Sequence, residues 1–161
     1  MTAREFALVI PRISSENREY LPIGILNSDS IVQEKAFVMF DSPLWNLALI
    51  ASRIHWVWIG TVCVRMRTDF SYSNTLGWNT FPIPKLTEKN KLDLTRSAEN
   101  IILARESHFP STIGELYDPI QMPQNLREAH RQNDEIVERI FIGRRFRNDT
   151  ERLEKLFSFY T

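Results

Sequence analysis

Arg67 and Asp69 stand two residues apart in the stretch Arg65-Met66-Arg67-Thr68-Asp69-Phe70-Ser71-Tyr72-Ser73-Asn74-Thr75. On an extended segment that spacing points both side chains to one side. A guanidinium can then donate twice to guanine O6 and N7 while a carboxylate accepts from cytosine N4, which together complement one G·C pair in the major groove. The same spacing suits an exposed Arg/Asp ion pair on a strand, and spacing alone favours that plainer account. The surroundings are uneven in charge. From Ser42 to Thr68 the chain carries Arg53, Arg65 and Arg67 and no acidic residue, and beyond Asp69 come Ser71, Tyr72, Ser73, Asn74 and Thr75, hydrogen-bonding side chains of the kind that contact phosphates.

Other chemistries are poorly supplied. His55, His108, His130 and Cys63 never occur at zinc-ligand spacing, so a metal site is not expected. Cys63 lies in the apolar run Thr61-Val62-Cys63-Val64, where burial raises a thiol's pKa and works against a nucleophile. The acidic pairs Asp134-Glu135 and Glu151-Glu154 fall on amphipathic helices and read as solvated faces, so no catalytic residue is assigned. The five glycines, at 24, 60, 77, 114 and 143, are too dispersed for a loop that cradles phosphate, dinucleotide or S-adenosylmethionine. With 20 Lys+Arg against 20 Asp+Glu the net charge is zero, so any attraction to an anionic partner must be local. One cysteine and the lack of a signal-peptide pattern lead us to expect a reducing compartment, the cytoplasm. The apolar stretch Leu44 to Val64 is long enough to span a bilayer but holds Asn46, Arg53 and His55, so a buried helix and no membrane partner are expected.

The elements that must hold these residues change character at Phe81-Pro82-Ile83-Pro84. Residues 1–86 read as strands around one apolar helix. Phe6, Leu8 and Ile10 alternate, Tyr20 to Leu26 forms a second extended run, and Ser14-Ser15-Glu16-Asn17 between them predicts a hairpin. A third run, Val32 to Phe40, ends at Asp41-Ser42-Pro43, where Ser42 is expected to cap a helix reaching about Trp56. Ile59 to Met66 is a further strand candidate. Residues 87–161 show helical periodicity only. Leu94, Ala98, Ile101 and Ile102 predict a helix ending near His108-Phe109-Pro110, followed by a short turn at Ser111 to Tyr117. Pro123 opens a helix with Leu126, Ala129, Asn133, Ile136, Val137 and Ile140 inward and Gly143 past its end. Asn148 with Glu151 forms a capping box for a last helix burying Leu153, Leu156, Phe157 and Tyr160. The fold class expected is α+β: a small mixed or antiparallel β domain with a buried helix over 1–86, then an all-helical domain over 87–161.

Pro11-Arg12-Ile13-Ser14-Ser15-Glu16, Glu19-Tyr20-Leu21-Pro22, Ser52-Arg53-Ile54-His55, Arg67 to Asn74 and Trp78-Asn79-Thr80-Phe81-Pro82-Ile83-Pro84 together resemble the target recognition domain of MmeI-like type IIL/IIG restriction-modification DNA methyltransferases. Leu116-Tyr117-Asp118-Pro119, Met122-Pro123, Ala129-His130 and Glu151-Arg152 with Leu156-Phe157 resemble the carboxy-terminal domain of the same family. The resemblance implies double-stranded DNA as partner, Arg67 and Asp69 as the pair that reads one base pair, and Arg65, Thr68, Tyr72, Ser73 and Asn74 as further DNA contacts. It also implies S-adenosylmethionine, with Mg²⁺ if DNA is cleaved, as cofactors of the parent enzyme. None is expected to bind this chain, which has neither Pro-Pro nor paired glycines. The expectation is therefore a fragment that recognises DNA for adenine methylation by a catalytic domain of the same or a partner chain. The alternative is a protein-interaction module docking on a methylase subunit without touching DNA.

Overall fold

Alternating apolar residues put Leu8 and Ile10 on the buried face of the first strand, β1 (Phe6–Pro11). The computed structural model, which describes residues 6–27, 36–40, 42–67 and 69–161, places β1 at the centre of an antiparallel sheet between β3 (Gly24–Asn27) and β4 (Ala36–Phe40). Val9 faces Gly24 on one side and Val38 on the other. The expected pairing of the first two runs is present, but no tight hairpin joins them. After Pro11 the chain first forms β2 (Ile13–Ser15), which belongs to a second antiparallel sheet, ordered β2-β6-β5, with β5 (Arg65–Met66) and β6 (Asp69–Ser71). Tyr20 to Ile23 are buried without being strand. In the third run the strand begins at Ala36, and residues 32 to 35 lie outside the described residues.

The single helix expected from Pro43 to Trp56 is two. Helix α1 (Trp45–Ile50) has Leu44 at its amino end with no side-chain cap, and Ser42 Oγ instead accepts from Asn46 Nδ2 at 2.7 Å. The chain breaks at Ala51-Ser52, and Ser52, extended with its Oγ accepting from the His55 amide at 3.3 Å, starts α2 (Arg53–Val62). Helix α2 runs through the residues expected to begin a strand at Ile59. Ile54, His55, Trp58 and Ile59 make a buried helical stripe, and packing of that stripe overrides the β propensity of the segment. Cys63, expected in a strand, caps the end of α2; it is buried, and burial pushes its thiol pKa up.

The second half follows its periodicity: α3 (Glu88–Glu106), α4 (Ile113–Leu116), α5 (Gln124–Ile142) and α6 (Asp149–Ser158). Gly143, with φ of 76°, supplies the left-handed residue that ends α5. Asn148 accepts from the Glu151 amide at 2.8 Å, yet the box is half formed, because the Glu151 carboxylate takes the Arg147 amide and Arg144 instead. Phe157 and Tyr160, expected inward, are 44% and 58% exposed and lie against Trp58. The fold class is α+β, and no helix among the described residues is long and apolar enough to cross a membrane.

One hydrophobic core crosses the boundary at 86/87. Helix α1 packs on α3, and α2 on α6, joining Leu47, Ile50 and Ile54 with Leu94, Ile101, Leu126 and Val137 in a single cluster. Polar bonds tie the halves as well. Asn133 donates from Nδ2 to the Ala48 carbonyl at 2.8 Å and accepts from Ser97 Oγ at 2.7 Å, and Arg105 donates to the Ile23 carbonyl at 2.5 Å. Asp134, fully enclosed on α5, accepts from Tyr20 Oη at 2.9 Å and from the Arg53 amide at 2.7 Å, so it caps the amino end of α2 from another helix. Burial pushes the Asp134 carboxyl up to about 6 despite these two donors. His130 stacks on Tyr20 with ring centres 4.3 Å apart and bonds Tyr117 Oη through Nε2 at 2.6 Å. Burial, aided by the charge of Arg105, pushes its pKa down to about 3.

Candidate nucleic-acid interface

Two-residue connections between antiparallel strands need a backbone with positive φ to match strand twist. Arg65 pairs with Phe70 and Met66 with Asp69, which leaves Arg67 and Thr68 as such a connection. Arg67 has φ of 60°, in the left-handed region that a residue with a side chain occupies at a cost of about 1 kcal/mol. The expectation that Arg67 and Asp69 share a face of one extended segment is thus corrected: Arg67 sits at the tip of the β5–β6 turn and Asp69 on the strand beyond it. Thr68 lies outside the described residues. The guanidinium of Arg67 is exposed and Asp69 is half-buried. Among the described residues neither makes a hydrogen bond or ion pair with the other or with any third side chain, so the plain ion pair is not formed.

Strand alternation sorts the rest of the hairpin. Phe70 points inward, 4.8 Å from the Trp56 ring, against Gly60, where a Cβ would come within 3.1 Å of Phe70 Cζ. Arg65 spans the same side, its guanidinium 4.8 Å over the Phe70 ring and its Nη1 donating to Glu16 at 2.6 Å. It therefore braces the hairpin to the β2 turn. Asp69 and Ser71 turn to the opposite face, where their antiparallel partners are Ser15 and Ile13. A cleft of about 460 Å³ separates the hairpin from α2 and α6, and each arginine on its walls, Arg53 and Arg65, is already joined to an acid, Asp149 and Glu16.

The segment after β6 behaves differently from the sequence expectation. Tyr72, expected as a surface contact, is 3% exposed, and its Oη lies 3.2 Å from His55 Nε2. Its surroundings explain this. The ring is wedged against Gly77, where a Cβ would come within 3.0 Å of Tyr72 Cε2, and Phe37 stands 6.1 Å away. Ser73 caps a π-helical turn, Asn74–Trp78, its Oγ accepting from the Leu76 amide at 3.3 Å while its own hydroxyl proton stays free to donate. Asn74 is exposed, with Oδ1 facing Thr75 Oγ1 at 3.5 Å and both amide protons directed to no protein acceptor among the described residues. Trp78 and Phe81 close over His55, the latter edge-on at 4.6 Å. Burial pushes His55 down to about 3, so it is a neutral imidazole at physiological pH.

Sequence reasoning missed the supporting residues Glu16, His55 and Gly77. His55 and Gly77 carried no signal, since a lone histidine in an apolar run and a lone glycine are ordinary in a core. Glu16 stood in a turn with no visible link to Arg65, 49 residues away.

The site is a small antiparallel sheet with Arg67 at its tip, beside the Ser73-Asn74 loop and followed by helices α3 to α6. The chain belongs to the MmeI family: residues 1–85 match its target recognition domain and residues 86–161 its C-terminal domain. It is 39% identical over 155 residues to DNA methyltransferase A of Bacillus subtilis (strain 168), covering 96% of this chain and 18% of that protein. It also superposes on the type IIL restriction-modification enzyme MmeI, solved in complex with DNA, with a TM-score of 0.92 and 29% identity, covering 99% of this chain and 21% of that one. The chain thus spans about a fifth of the length of both relatives.

Proposed function

We propose that this chain is the sequence-reading part of a DNA methyltransferase of the restriction-modification type, with Arg67 and Asp69 reading one base pair. The observation that carries this reading is that Arg67, exposed at the hairpin tip, and Asp69, half-buried on β6, have no protein partner among the described residues, whereas Arg65 and Phe70 of the same hairpin are engaged with Glu16 and Trp56. A flexible exposed arginine at a turn tip reaches a major groove edge, and the carboxylate two residues on accepts from the paired cytosine. Ser73 and Asn74 add donors for phosphate, and the family resemblance implies the same role for Thr68. Arg65, held by Glu16, supports the hairpin and reaches phosphate only at its rim. S-adenosylmethionine-dependent methylation, and cleavage with Mg²⁺ if the parent cleaves, would fall to a catalytic domain of the same or a partner chain, working in the cytoplasm.

The test is selection of bound duplexes from a randomised pool by the 161-residue chain. One or more positions should be enriched, binding should weaken steeply with salt, and Arg67→Ala should flatten enrichment at a single base pair. Enrichment at no position refutes the reading. A docking role on a methylase subunit is favoured by one separate observation, the exposed apolar surface of Phe157 and Tyr160 with Leu76 and Val62, floored by the buried Trp58. Replacing Phe157 and Tyr160 with Ser should then abolish copurification with the catalytic subunit while leaving duplex selection intact.

A further inference from the structure

The residue immediately after the reading strand is not at the surface at all. Tyr72 hangs from the backbone between Asp69 and the Ser73-Asn74 donors, its amide bonded to the Arg12 carbonyl at 2.5 Å and its ring closed in by Gly77. Its hydroxyl meets His55, which α2 holds at full burial. The π-helical turn repeats the constraint from the other side, with the Gly77 amide bonded to the Ser73 carbonyl at 2.6 Å and the Asn79 amide to the Asn74 carbonyl at 2.9 Å. Asp69 on one side and the Ser73-Asn74 donors on the other thus flank one internal ring. A hydrogen bond fixes direction as well as distance, and a base-reading side chain tolerates little displacement before its paired bonds to a base edge fail.

We propose that Tyr72, acting through His55 and Gly77, is the positioning residue of the base-reading site: it sets where Asp69 and the Ser73-Asn74 donors stand, without touching DNA. This rests on the reading of Arg67 and Asp69 given above. It differs from a stabilising role in its consequence. Loss of a merely stabilising contact lowers binding to all sequences together, whereas loss of a positioning contact lowers the ratio between the preferred base pair and the others.

The experiment measures that ratio for the whole chain by equilibrium binding to four duplexes that differ at the enriched position alone. Tyr72→Phe removes one hydroxyl and leaves the ring, and it should lower the preference about fivefold, the worth of one hydrogen bond of about 1 kcal/mol, while binding to the three disfavoured duplexes changes little. Gly77→Ala, which drives a methyl group into the same ring, should do likewise. His55→Gln, which can still bond the hydroxyl, should retain more of the preference than His55→Leu, which cannot. A wild-type chain that prefers no base pair overturns the parent reading and this inference with it. A wild-type preference that Tyr72→Phe and Gly77→Ala both leave intact, or a loss shared equally by all four duplexes, overturns this inference alone.

Discussion

Acidification should unfold this protein through its two buried histidines. His55 and His130 are both fully enclosed, and burial pushes each imidazole down to about 3 from an ordinary 6.5. The unfolded chain takes up both protons near 6.5 and the folded chain refuses them until far lower, so the stability is present above 6.5 and is lost as pH falls toward 3. Near pH 5 each histidine costs roughly 1.5 units of linkage, or about 2 kcal/mol, giving about 4 kcal/mol together. Asp134 opposes them. Burial holds its carboxyl at about 6 in the fold against an ordinary 3.8, so the folded state binds a proton the unfolded state does not, and near pH 5 this returns roughly 1 kcal/mol. The net loss between about pH 7.5 and pH 5 is therefore roughly 3 kcal/mol, a large share of the stability of a domain this size. Urea denaturation followed by tryptophan fluorescence at the two pH values reads it directly. An unchanged midpoint, or the imidazole of His55 or His130 titrating near 6.5 in the folded protein by NMR, refutes the reasoning.

Asp134→Asn keeps the shape of the cap on α2 while removing the opposing proton, so the variant should lose stability more steeply than wild type below about pH 6, by about 2 kcal/mol more at pH 4, measured by the same denaturation series. Exchanging the reading pair, Arg67→Glu with Asp69→Arg, should move the preferred base from G toward C on the same strand with about 1–3 kcal/mol of discrimination, and an unaltered selection profile would count against any base contact by the two. Gly143→Ala meets open space but demands a left-handed alanine, and a fall in stability of about 1 kcal/mol in thermal unfolding is expected. Because one core joins the two halves, calorimetry of the 161-residue chain should give a single transition, and two resolved transitions would mark independent units on either side of 86/87.

The helices of the second half were legible because each carries both its period and its punctuation: Leu94, Ala98 and Ile101 on one face of α3, and Pro123 and Gly143 at either end of α5. Strand β1 was legible by alternation. Helix α2 was legible only as far as Trp56, since Ile59 and Val62 have β-forming side chains and only the tertiary packing of Trp58 and Ile59 carries the helix on to Val62. The tip of the reading hairpin hid for a related reason. Arg67-Thr68 contains none of the glycine or asparagine that announces a two-residue turn, so a bent backbone read as extended. The residue types at the candidate site were visible in the sequence, and their geometry was not. Tyr72 shows the cost of reading by neighbourhood: it stands among Ser71, Ser73 and Asn74, and nothing in that company reveals a ring that Gly77 was left small to receive.

The two faces of β6 obey opposite rules of change. Its inner side chain, Phe70, is bound to Trp56 and Gly60, whereas Asp69 has no protein partner among the described residues and can be exchanged without disturbing a packed neighbour. New specificities are then open to substitution at 67 and 69 but closed to insertion: a single added residue between Asp69 and Phe70 would carry the aromatic ring outward and a polar group into the core. Such an insertion should fail to give soluble protein, while substitutions at 69, and at 67 by residues other than proline and the β-branched ones that its left-handed backbone disfavours, express normally. The strand works like a printing block, whose type can be reset at will so long as the block keeps its length.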